Sequence, residues 1–501
     1  MPVEKARPTR LSGRVSAGPS HLLRTEVLNP QFDAEVHNLL PHYVAIEKAL
    51  VTEYVRMGIL AEGSAREIDT LLDSVDRDSM TERSAASMSD MAFTLERQVE
   101  DGLSEPVPAW HVDRSRNDYQ ACAQLLFGRS RLLEAAATLL EFGRAAHRLA
   151  GCHTEHPMPG YTHLQAAQII SPGFYLAALS EQAQHASRRL LFTYDSIDAC
   201  PLGAGAMSGQ TLPWDRQRLA RSLGFQRVQP LALTSVAYRG WTVEITGEFE
   251  ILGVQLSRFV TDLMAWGSSA YGFLDLPDEL SGISSAMPQK KNFPILERIR
   301  GRLAHLSSTH LDTVLGQRNT AFSNSVEVSK EAGTELPRAF DAFESALRLF
   351  TVVLDNARFD VDRMARACEK EFLGGFALAN RLTLDEGVPW RLAQVIAGRY
   401  IVMAMDAGLE PAQADPGLLT TAAAESGRRL TDPNALLRGV FEVAGALGSM
   451  NSAGSTHPQA VGEVLADQER ELERLAREWG RRKAQSQGGG NEVVQFGHEG
   501  E

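Results

Sequence analysis

A chain of 501 residues is too long for a single hydrophobic core, and roughly two to four domains are expected. Its 44% hydrophobic and 23% charged content is that of an ordinary globular protein. The net charge of −13 excludes nucleic acid as a main partner, because phosphate binding needs a basic face, though a local basic pocket can still hold a small dicarboxylate.

The first twenty residues are basic but broken by proline and glycine, and lack the apolar core of a signal peptide. Nowhere do about 18 apolar residues run together, so no membrane span is expected. Cys122, Cys152, Cys200 and Cys368 are scattered without a C-x-x-C pair, as free thiols of a reducing compartment would be. A cytoplasmic protein is expected.

Residues 1–110 carry helical periodicity over Val44 to Leu60 and again around Ile68 to Val75, the pattern of a smaller helical domain. Residues 111–365 hold longer stripes. Leu132, Ala136, Leu139, Gly143, Ala146 and Ala150 follow 4-3-4-3-4 spacing, and Leu176 to Leu190 repeats it. Ile245, Phe249, Leu252, Leu256, Phe259, Leu263 and Trp266 give the cleanest case. Leu296 to Leu306 and Leu336 to Leu354 complete the set. Stripes of this length predict helices of roughly 40 Å at 1.5 Å per residue, packed at shallow angles in a long bundle. Rods so long find further apolar cover on other copies, so a homo-oligomer is expected. Residues 366–484 form a third helical region, with Pro389, Pro411, Pro416 and Pro433 between short stretches, ending in a charged helix. A Gly-rich tail at 485–501 reads as flexible. Strand signals are scarce, and the fold class is all-α.

Three runs carry chemistry: Arg114-Ser-Arg-Asn-Asp118, Gly160-Tyr-Thr-His-Leu-Gln165 and Ser284-Ser-Ala-Met-Pro-Gln-Lys-Lys-Asn292. Arg116, Asn117, Thr162 and Lys290 are donors suited to carboxylate oxygens, arginine being the one able to bind in a fork. His163 alone among them titrates near neutrality when unperturbed. Ser284 and Ser285 are candidate nucleophiles or bases, and a hydroxyl that loses its proton needs the positive charge and donors such a loop offers. Asn292 is placed to cap the next helix, on which Glu297 can orient a histidine arriving from elsewhere. No Asp/His cluster has metal-ligand spacing, and no glycine-rich phosphate loop follows a strand. The set suggests proton abstraction beside a carboxylate. Taken singly, each run also fits a structural histidine, a solvated lysine pair or a surface turn.

Together the three runs resemble the signatures of the argininosuccinate lyase branch of the fumarase/aspartase superfamily, over roughly residues 25–450. The glycine-rich segment Gly203 to Ala206 with Asp215-Arg216 is similar too. The resemblance implies a three-domain all-α fold with a central five-helix bundle. It also implies a homotetramer with a twenty-helix core, each active site drawing on three subunits. The implied reaction is reversible anti-elimination of an amine from an N-succinyl compound to give fumarate, without cofactor or metal. Carried over residue by residue, Ser284 is the base that takes the Cβ proton, and Lys290 and Asn292 stabilise the aci-carboxylate intermediate. Arg116, Asn117 and Thr162 hold the carboxylates, while Ser115, Ser285 and Met287 line the pocket. His163 paired with Glu297 orients substrate or protonates the leaving nitrogen, and Lys330 serves the amine side. The loop around 281–291 closes over substrate.

The fumarate side matches the pattern better than the amine side. Pro30 stands near where an arginine-binding serine belongs, and Phe322 and Glu327 replace Tyr and Gln. Asp113 replaces Gly, Tyr119 replaces Gln, and Phe293-Pro294 replaces Pro-Asp. Unmatched polar groups penalise a substrate heavily, which disfavours argininosuccinate itself. The leading expectation is a lyase for another N-substituted aspartate, similar to ethylenediamine-N,N'-disuccinate lyase. Argininosuccinate lyase is the alternative, and a non-catalytic structural homologue is the alternative from another class.

Overall fold

The computed structural model describes residues 18–83 and 90–488. Helix makes up 67% and strand 5% of the structure, as the periodicity predicts. Seven helices among the described residues exceed twenty residues: α1 (Asn29–Arg56), α2 (Arg116–Cys152), α3 (Pro172–Ile197), α4 (Gly240–Trp266), α5 (Pro294–Gln317), α6 (Leu336–Asn356) and α7 (Pro458–Gly488).

Helices α2 to α6 form a closed ring, each packing on the next in sequence and α6 returning to α2. The five predicted stripes face its interior; Leu132, Leu139, Ile245, Phe249, Ile299, Phe340 and Leu347 are fully buried. Only Phe259 is half-buried. Phe249 stacks on Phe343 at 4.0 Å between ring centres, locking α4 to α6. Helix α1 covers α2 from outside although Pro41 interrupts its hydrogen bonding. The carbonyl that Pro41 leaves unpaired, His37 O, accepts instead from Arg77 at 2.9 Å.

Helix α7 lies along α2 and α3, and its Val461, Leu465, Leu472, Leu475 and Trp479 join the same core as the bundle. A separate apolar cluster gathers residues 378–441, around Ile396, Tyr400 and Leu419. The last predicted segment thus leaves its sequence neighbours and packs on the bundle. Of the tail, residues 489–501 lie outside the described residues, as do 1–17 of the basic N-terminus. No described helix is long and apolar enough to cross a membrane.

One element escaped the periodicity. Residues Met158–Thr162 (β1) and Gln165–Ile170 (β2) pair as an antiparallel hairpin between α2 and α3. Its two-residue turn is His163-Leu164, with φ of 56° and 61°. Both central residues of such a turn need positive φ, which glycine and asparagine supply more easily. The absence of those residues hid the turn in the sequence.

Candidate active site

The three runs sit at the ends of the bundle, and not at the same end. Ser115 caps α2, its Oγ accepting from Asn117 N at 3.2 Å. Arg114 is not free for a ligand: it makes a two-pronged ion pair with buried Glu47 of α1, at 2.8 and 2.9 Å. Arg116, by contrast, is 57% exposed; it bonds Asp90 at 2.8 Å and lies 4.6 Å over the ring of Phe93. Sequence reasoning missed Asp90 and Phe93. Asp90 also caps the helix Met91–Gly102, and a capping residue before an apolar stretch was the available signal.

Asn117 is held from both sides. Its amide donates to Ala206 O, and its carbonyl accepts from Asn324, each at 2.9 Å. Asn324 accepts from Arg239, which donates to Gln124 at 3.0 Å; Gln124 in turn donates to Ser329 O at 2.7 Å, next to Lys330. Lys330 pairs with Glu35 of α1. Burial pushes the Glu35 carboxyl up against the opposing pull of Lys330. This pair lines a cavity of about 440 Å³ with Arg239, Gln124, Glu26 and Glu331. Phe322 and Glu327 are exposed beside it in sequence.

The departures in the first run have structural explanations. Asp113 sits at φ 61°, a conformation for which glycine is the usual choice. Its carboxylate accepts from Thr211 N, Leu212 N and Trp214 Nε1 at 2.8–3.2 Å, fastening the 210–214 segment. Tyr119 is buried and donates to Tyr43 O at 3.0 Å. In the glycine-rich segment, Gly203 N and Gly205 N both donate to Asp118, which fixes the Ala206 carbonyl for Asn117.

At the far end of α2 stands the hairpin, with Thr162 and His163 exposed at its tip and Leu164 81% exposed. Tyr161 packs edge-on against Tyr271, which ties the hairpin to the segment after α4. That segment leads into the third run. Gly282 and Asn292 exchange backbone hydrogen bonds at 2.8 and 3.0 Å and close the neck of a loop. Ser284 Oγ accepts from Met287 N at 3.0 Å, a donor that favours the deprotonated hydroxyl. Lys291 is tied back to Asp275 at 2.9 Å and to Asp278 at 3.3 Å. Lys290, exposed with Ser285 and Met287, makes no ion pair among the described residues.

Asn292 does not cap α5. Phe293 occupies that position without a side-chain bond, and Pro294 starts the helix. The capping position thus falls on a phenylalanine, whose side chain carries no acceptor, and the side-chain cap is lost. The Asn292 amide instead donates to Gly282 O and Ile283 O at 3.3 and 3.5 Å. Glu297 lies exposed in the first turn of α5, and no hydrogen bond joins it to His163 among the described residues.

Helix α2 has 37 residues, so Ser115, Arg116, Asn117 and Lys330 stand roughly 54 Å from the end where Thr162, His163, Ser284, Ser285, Met287, Lys290, Asn292 and Glu297 lie. The two groups cannot meet within one chain, and as parts of one site they would be half-sites.

Comparison with known proteins bears on what the half-sites are for. A family profile described as Lyase matches residues 36–306. Argininosuccinate lyase of Hyphomonas neptunium is 30% identical over 465 residues, 92% of this chain and 97% of that one. This chain belongs to that lyase family. It falls in the argininosuccinate lyase branch of the fumarase/aspartase superfamily and is a carbon–nitrogen lyase of the fumarate-releasing type. Argininosuccinate lyase of Moorella thermoacetica is 31% identical over 75% of this chain and 79% of its own length. Among solved structures, a fumarate-bound variant of EDDS lyase superposes with a TM-score of 0.85 at 23% identity, covering 97% of this chain and 98% of that one. A fumarate lyase from Mesorhizobium sp. BNC1 gives 0.71 at 18% identity, covering 91% and 99%. These two likenesses concern the fold.

Proposed function

We propose that this lyase cleaves, or forms, the carbon–nitrogen bond of an N-substituted aspartate other than argininosuccinate, in a homotetramer whose active sites each draw on three copies. The separation of the half-sites along α2 supports a site drawn from more than one copy, and the family resemblance implies three copies in a tetramer. A four-carbon diacid spans only about 6 Å, so one copy must supply Arg116 and Asn117 while others supply His163 and Ser284. Apolar residues on both far-end motifs also favour assembly: Ile283 is 94% exposed and Leu164 scarcely less, an arrangement that a covering copy would relieve.

In the assembled site Arg116, Asn117 and Thr162 grip the two carboxylates. Ser284, its oxygen already facing the Met287 N–H, removes the Cβ proton. Lys290 neutralises the charge that then accumulates on the neighbouring carboxylate. His163, oriented by Glu297, hands a proton to the departing nitrogen. Ser115, Ser285, Met287 and Asn292 shape the pocket, and fumarate leaves with the free amine.

The amine side supports a cationic partner. Lys330 is already matched by Glu35, and with Glu26 and Glu331 the cavity beside it holds three carboxylates against Lys330 and Arg239. A diamine gains there, whereas the carboxylate of a free amino acid finds Lys330 engaged. The test is to incubate the protein with fumarate and a panel of amines, following loss of fumarate absorbance. Turnover with ethylenediamine-type partners and none with arginine is expected. Efficient cleavage of argininosuccinate with no diamine turnover would overturn the substrate proposal. One observation favours that second reading: Lys330, which the argininosuccinate lyases keep, is retained here.

A further inference from the structure

Away from both half-sites, α1, the middle of α2 and the last turns of α7 enclose a cavity of about 990 Å³. Its walls are largely apolar, built by Leu126, Leu133, Leu140, Leu223 and Trp479. That volume lies at the top of the range of small-molecule sites, about 300–1,000 Å³. The part of α2 that lines it begins nine residues after Asn117, roughly 14 Å along the axis, so its occupant is not the substrate of the half-sites.

Two of the cations around it have no carboxylate of their own. Lys48 is neutralised by Asp69 at 3.2 Å and Asp73 at 2.7 Å, while Glu134 shares Arg131, at 3.3 Å, with Asp341 and Glu344 at 2.9 and 3.1 Å. Arg144 and Lys483, both exposed at the cavity, make no ion pair among the described residues. Deeper in, Arg129 is 2% exposed; it pairs with Asp198 at 3.0 Å and lies 4.2 Å from the ring centre of Phe225. Yet its Nε–H is buried without an acceptor. A buried N–H left unpaired costs about 1–3 kcal/mol, so an acceptor brought by a ligand is favoured. His42 adds no charge: burial, with Arg129 nearby, pushes its imidazole down to about 4.

We propose that this cavity binds a small amphiphilic carboxylate. Its hydrocarbon body would lie against the leucines and Trp479, and its anionic head would answer Lys483 and the unpaired Arg129 Nε–H, at the end of the cavity where the last turn of α7 meets Gly224. The inference stands apart from the lyase reading, and its readout is binding rather than turnover.

The test titrates the full-length protein with 8-anilinonaphthalene-1-sulfonate, an aromatic anion whose fluorescence rises in apolar surroundings. Saturable binding of about one probe per chain is expected. It should be displaced by 4-phenylbutyrate and not by 4-phenylbutylamine, which has the same body and the opposite charge. The variant Lys483→Glu, altered at an exposed position, should bind the probe at least about tenfold more weakly with an unchanged unfolding temperature. Ala137→Trp, which fills the cavity, should abolish binding. Equal displacement by the amine, affinity unaffected by Lys483→Glu, or no saturable binding would each overturn the proposal. Removing residues 489–501 should leave affinity unchanged; a tenfold gain would make that segment the occupant and overturn it too.

Discussion

Two variants that are each inactive should restore activity to one another when mixed. Ser284→Ala removes the proposed base at the far end of the bundle, and Arg116→Ala removes the carboxylate clamp at the near end. Loss of a general base typically lowers turnover about 10²- to 10⁴-fold, and loss of one preorganised charged donor about 10²- to 10³-fold, so each variant alone should fall to those levels. The two positions are separated by roughly 54 Å of α2, about nine times the length of the substrate's diacid, so on the proposed reading every site takes them from different copies. If a fraction x of the chains carries Arg116→Ala, a site is intact with probability x(1−x). That product peaks at equal amounts, at about one quarter of the wild-type activity. The assay denatures both proteins, refolds them together over a series of ratios and follows fumarate absorbance with an amine that the wild type uses. Native electrophoresis separates the hybrids, since Arg116→Ala changes the charge. Hybrids that form and yet stay at the parental level at every ratio would refute the division of the site between copies.

Other consequences are separable from that one. Arg116→Lys keeps the charge but loses the fork, and should raise KM for the diacid about tenfold with a smaller effect on kcat, read by steady-state kinetics. Glu35→Gln leaves Lys330 unmatched; the ratio of kcat/KM for a diamine over an amino acid should fall about tenfold or more, and an unchanged ratio would remove Glu35 from amine selection. Burial pushes the Asp118 carboxyl up to about 6, against the N–H donors of Gly205 and Gly203. The folded chain therefore holds that proton more tightly than the unfolded chain does. The group's contribution to stability is fullest below about pH 4 and falls as pH rises to about 6. Asp118→Asn, still able to accept both N–H groups, should stabilise the protein by about 2–3 kcal/mol at pH 8 and by nothing at pH 4, measured by urea unfolding.

The bundle was legible because a helix repeats its buried face every three or four residues, and Ile245 to Trp266 or Leu336 to Leu354 display that repeat undisturbed. Ser284, Lys290 and Arg116 were legible as candidates from residue type and order alone. What lay hidden depends on contacts distant in sequence. Glu35 meets Lys330 across 295 positions, and Asn117 meets Asn324 across 207; no local pattern encodes either. The hairpin was hidden for a local reason, its turn being made by histidine and leucine where glycine or asparagine would have announced it. Helix α7 looked like the end of the third region because its apolar spacing identifies a helix but not the surface it meets.

Strain and exposure fall on the same few residues, and that has a consequence for the isolated chain. His163 and Leu164 hold left-handed backbone that costs about 1–3 kcal/mol each in residues of their kind. Leu164 and Ile283 stand in water, where burying each would contribute about 1.5–3 kcal/mol. In the proposed assembly, a neighbouring copy that covers them would offset the strain and, in the same contact, complete the half-site they flank. Assembly and catalytic competence should therefore be lost together. On serial dilution, specific activity should fall along the same curve as the assembled fraction measured by mass photometry, and Leu164→Asp should move both curves to higher concentration by the same factor. Isolated copies that keep full specific activity would mean that one chain builds the site alone, and would refute the shared site.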